Sequence, residues 1–72
     1  METTEEILNK LLERIEWCKK QIIDCEEQRS FWAKRGRFPL AYAWKRNAEE
    51  YRKALEETEK RLESAFKEEE ND

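Results

Sequence analysis

An apolar side chain recurs every three or four residues along most of this chain, and that rhythm restricts the fold more than any other feature. Leu8, Leu11, Ile15, Cys18, Ile22, Cys25, Arg29 and Trp32 follow one another at alternating intervals of three and four. A mean spacing of 3.5 keeps side chains on one line of an α-helix and suits knobs-into-holes packing, whereas a strand would require alternate residues. Seven of these eight positions are apolar or thiol, and Arg29 interrupts the line near its far end. Ile7 and Leu12 flank it and widen it towards the stripe of a bundle helix. After Leu40 the same rhythm returns in Ala41, Trp44, Ala48, Tyr51, Leu55, Thr58, Leu62 and Ala65, with Phe66 beside it.

Between the two repeats lies Lys34-Arg35-Gly36-Arg37-Phe38-Pro39. Glycine accepts the left-handed conformation that ends a helix, and proline fits the first turn of the next. At the other end Thr3 or Thr4 can cap a helix, and Thr3 and Glu6 have the spacing of a capping box. Charged residues make up 46% of the chain, a share compatible with disorder, but a single Gly, a single Pro and abundant Glu, Lys, Leu, Arg and Ala favour helix. The expected architecture is therefore all-α: one domain over 1–72, an antiparallel, coiled-coil-like two-helix hairpin. Helix 1 is expected at about 4–34, the bend at about 35–38 and helix 2 at about 39–67. The acidic run 68–72 has no apolar anchor and is expected to fray, because negative charge is unfavourable at a helix C-terminus.

Two helices alone leave one side of each stripe wet, and a chain of 72 residues is short for a self-sufficient core. Dimerisation into a four-helix bundle is the expected remedy. Leu8, Leu11, Ile15, Ile22, Trp32, Trp44, Tyr51, Leu55 and Leu62 form the predicted self-association seam. Trp17, Ile23 and Phe31 fall off it and are expected to point outward as partner-binding candidates, since large apolar groups on a small charged protein suggest a second contact surface.

Charge is distributed unevenly. Residues 28–48 hold Arg29, Lys34, Arg35, Arg37, Lys45 and Arg46 and no acidic side chain, a segment of +6 in a chain of net −3. The other 51 residues therefore carry −9, nine basic against eighteen acidic groups. Arg35, Arg37, Phe38, Lys45 and Arg46 join the candidate partner-binding residues, because cations mixed with aromatics suit either an acidic protein face or a nucleic acid. The plainer account gives the cations at the end of helix 1 to its dipole, and has Trp32 and Trp44 face each other to close the core. The dipole does not explain Arg37, Lys45 or Arg46.

These features point to a non-enzymatic protein–protein interaction module, a small adaptor, regulator or inhibitor whose partners are itself, another protein, or both. Two alternatives remain: nucleic-acid binding by the bend, and mimicry of a nucleic acid by the acidic portion to inhibit a basic protein. Catalysis is not expected, as the chain has no His, only Ser30 and Ser64 as serines, and Glu residues at spacings that helix pairing explains, such as Glu16–Lys20, Glu49–Lys53 and Glu56–Lys60. No cofactor or metal site is expected either. Cys18 and Cys25 sit about 10 Å apart along a helix, beyond the roughly 7 Å a disulfide spans, and read as small buried hydrophobes. No apolar run approaches the roughly 20 residues of a membrane-spanning helix, the Gly36–Pro39 break denies the basic, aromatic segment a continuous amphipathic helix for lying on a membrane, and Glu2, Glu5 and Glu6 do not resemble a basic signal-peptide start. A cytoplasmic setting follows as the expectation.

Overall fold

Helix α1 spans Thr4–Lys34 and helix α2 spans Phe38–Glu70, in a computed structural model that describes residues 2–70, with side chains through 68. Thr3 starts α1 in extended conformation, and its hydroxyl oxygen accepts the Glu6 N–H at 3.2 Å. Glu5 and Glu6 in that first turn complement the positive end of the helix.

The reversal is closed by backbone bonds. Arg35 is the last half-helical residue, Gly36 follows at φ 74°, and the Gly36 N–H donates to Ala33 at 3.0 Å while the Arg37 N–H reaches back to Trp32 at 2.9 Å. This pair of bonds satisfies the carbonyls that a helix end leaves open. Pro39 falls in the first turn of α2, where no N–H is needed, and the Arg37 carbonyl accepts from Ala41 at 3.0 Å. Helix α2 runs to Glu70, three residues beyond the expected 67, with Lys67 answering the dipole of its last turn and pairing with Glu63 at 3.4 Å. Of the acidic run 68–72, Asn71 and Asp72 lie outside the described residues.

The helices lie against each other as a rod of 55 × 16 × 15 Å. Among the described residues every buried one is on the two repeats: Ile15, Cys18 and Cys25 from α1, Ala41, Ala48 and Thr58 from α2. Four of these six are Cys or Ala, so the helices approach closely where side chains are small. Leu8, Leu11, Ile22 and Trp32 of α1, with Trp44, Tyr51, Leu55 and Leu62 of α2, are only half-buried along the same contact. Thr58 keeps its hydroxyl satisfied by donating to the Ala54 carbonyl at 2.7 Å. Arg29, the one charged member of the repeat, stays exposed.

Both cysteines are free and buried, at 0% and 2% exposure. Burial pushes the Cys25 thiol above its ordinary value of 9.0, and the neighbouring Asp24 charge adds to the shift. A neutral thiol is thus favoured in the folded state, and the stability it contributes is full below the unfolded value and is lost as pH rises through the folded one. Melting temperature is expected to fall above about pH 9, and Cys25→Ala to remove part of that fall. An equal fall in the variant would show that Cys25 takes no part.

Candidate interaction surface

The seam turns one line of each helix inward and leaves two shoulders beside it, whose residues follow from helical periodicity. One shoulder carries Ile7, Trp17 and Phe31 from α1 and Leu40 from α2. The other carries Leu12 and Ile23 from α1 and Phe38, Tyr42 and Phe66 from α2. All nine of these large apolar side chains are exposed.

The two shoulders differ in what their side chains already touch. Trp17 is exposed, at 49%, as its position off the seam predicts, and its ring also meets Tyr51 edge-on at 5.5 Å across the two helices. An indole is long enough to reach back over the seam from the shoulder. Phe31 meets Trp32 edge-on at 5.0 Å and lies 4.2 Å beneath the Arg35 guanidinium. Trp32 has Phe31 as its ring partner, and the expected ring contact with Trp44 is absent among the described residues. On the other shoulder, Ile23 is 56% exposed, Tyr42 60% and Phe38 67%, and neither aromatic pairs with another ring among the described residues.

Ion pairing follows a similar division. Lys10 pairs with Glu2, Lys19 with Glu16 at 3.9 Å, Arg52 with Glu26 across the helices, and Lys60 with Glu56 at 3.6 Å. Of the expected pairs Glu56–Lys60 forms, Glu16 takes Lys19 in place of Lys20, and Glu49–Lys53 is absent among the described residues. Arg29, Lys34, Arg35, Arg37, Lys45 and Arg46 make no ion pair at all among the described residues and are all exposed. For Lys34, Arg35 and Arg37 the cause is in the sequence, since no acid lies three or four residues from any of them; Arg29, Lys45 and Arg46 have Glu26, Glu49 and Glu50 at that spacing, but Glu26 pairs with Arg52 and the other two stay apart.

The bend thus gathers Phe31, Arg35, Arg37 and Phe38 at one tip of the rod, with Lys45 and Arg46 two turns into α2. Trp17 and Ile23 lie towards the middle and do not join that group. Ile7, Leu12, Leu40, Tyr42 and Phe66 complete the exposed apolar set; the spacing already puts Ile7, Leu12 and Phe66 beside the seam, and plotting both helices on a heptad wheel would have added Leu40 and Tyr42. The surface depressions are shallow and open; one is lined by Arg35, Gly36, Arg37, Pro39 and Leu40 at the bend, another by Ile7, Leu11, Arg61, Ser64 and Ala65 near the opposite end. No helix of the described residues is long and apolar enough to cross a membrane. No protein-family model matches the chain, and neither a curated protein nor a solved structure matches it.

Proposed function

We propose that this chain is a non-enzymatic protein–protein interaction module that works as a homodimer, two hairpins joining into a four-helix bundle. The observation that carries the reading is unfinished burial. The accessible surface is 6037 Å² for a chain of 8.9 kDa, whereas a compactly folded monomer of that mass exposes about 4,800 Å². Among the described residues nine large hydrophobics are exposed, against five buried apolar residues in the core. A second copy covers such a surface at no cost in new sequence, and closed two-fold pairing is the commonest form of assembly.

Sedimentation equilibrium at micromolar concentration tests the proposal. A dimer is expected for the natural sequence, and Ile23→Glu, which puts a charge at a site now 56% exposed, is expected to shift the equilibrium to monomer with helicity retained. A fully folded monomer at all concentrations up to about 100 μM, equivalent to an affinity weaker than about 5.5 kcal/mol, would sink the proposal.

The six unpaired cations favour one second reading, in which the bend binds nucleic acid through phosphates and stacks bases on Phe38 and Tyr42. Oligonucleotide binding at low salt, lost on Arg35→Glu and Arg37→Glu, is the result that supports it; no binding removes it.

A further inference from the structure

We infer that the two copies pair antiparallel, through the shoulder that carries Phe38, Lys45, Arg52, Glu59 and Phe66, so that the bend of one hairpin lies beside the terminal end of the other. The inference rests on the proposed homodimer and specifies its geometry.

Those five residues are spaced seven apart along α2 and form one line on its surface, drifting only about 20° per step. Their chemistry is symmetric about Arg52: a Phe lies at each end, and the intermediate positions carry opposite charges. A two-fold axis through Arg52, perpendicular to the rod, would therefore set Phe38 of one copy against Phe66 of the other and Lys45 against Glu59. Both aromatics are exposed, and neither Lys45 nor Glu59 has an ion-pair partner within the chain among the described residues. Arg52, at the axis, is already paired with Glu26, which lowers the cost of bringing two such arginines together. Ile23, three residues before Glu26 on α1, supplies apolar cover close to that axis.

A parallel pair on the same line would oppose Lys45 to Lys45 and Glu59 to Glu59. Over the whole rod the difference is larger. Residues 28–48 carry +6, while residues 1–16 and 59–72 together hold eleven acidic and five basic side chains, net −6. Antiparallel docking brings these opposite charges together twice, whereas parallel docking brings like charges together at both ends. The opposite shoulder is the weaker alternative, because Trp17 and Phe31 are already engaged with Tyr51 and with Trp32 and Arg35.

The test is a charge exchange read by sedimentation equilibrium at low salt on the full chain, with helicity followed by circular dichroism. Lys45→Glu and Glu59→Lys are each expected to weaken the dimer about tenfold, as two cross-copy attractions become repulsions, and the double variant to recover most of the loss. A carbodiimide that joins amines directly to carboxylates is expected to link Lys45 of one isotopically labelled copy to Glu59 of an unlabelled one. Within one chain these residues stand about 21 Å apart along α2, out of reach of a zero-length bond. Dimers indifferent to both single exchanges, or free of that link, overturn the antiparallel pairing and leave the homodimer standing. A natural chain that is monomeric throughout removes both.

Discussion

Ile15→Ala is expected to destabilise the chain by about 3 kcal/mol, the usual cost of emptying a buried aliphatic site that cannot fully collapse. Ile15 is the largest side chain in the fully buried set, at 7% exposure; the other members are Cys, Ala and Thr. The loss is severe here because a domain of this length has a total stability of only about 4–11 kcal/mol. The denaturation midpoint should fall steeply in the variant, while Ser30→Ala on the exposed face should stay within about 0.5 kcal/mol of the natural chain. An Ile15→Ala change below about 1 kcal/mol would mean that the dry line of the rod lies elsewhere.

Gly36→Val is the second large effect, expected at about 2 kcal/mol. A Cβ built at Gly36 meets nothing within 4 Å, so the cost does not come from a clash with neighbours. It comes from the backbone, because φ is +74° and a β-branched residue resists that conformation. Gly36→Asn should cost distinctly less, as asparagine tolerates the left-handed region. Equal melting temperatures for the two variants would show that the tip relaxes into another conformation when glycine is lost.

Most of the fold was legible because periodicity and punctuation agree. The three-four rhythm named every residue that proved buried, including Thr58, and left Arg29 as its exposed exception. Gly36 and Pro39 located the reversal, and Thr3 the first cap. Side-chain partnerships were less legible. Trp17 reaches Tyr51, and Phe31 turns to Trp32 and Arg35, through rotamers that depend on where the second helix lies. Glu16 chose Lys19 over Lys20, two exposed options separated by a few tenths of a kcal/mol at most. The division of the apolar surface into two shoulders was present in the spacing, but which of them remained unengaged required the positions of both helices.

The hairpin tip has a further property that follows from how it is closed. Its turn is written in main-chain bonds and in the sign of one torsion angle, so the side chains of Arg35 and Arg37 take no part in closing it, and Arg35 only covers the Phe31 ring. Their identities are free to drift or to be selected for an external purpose without refolding the scaffold. The tip is accordingly the place to engineer: a library varied at those two positions, with Gly36 and Phe38 held fixed, should return folded chains carrying many different chemistries at the end of one rigid stalk.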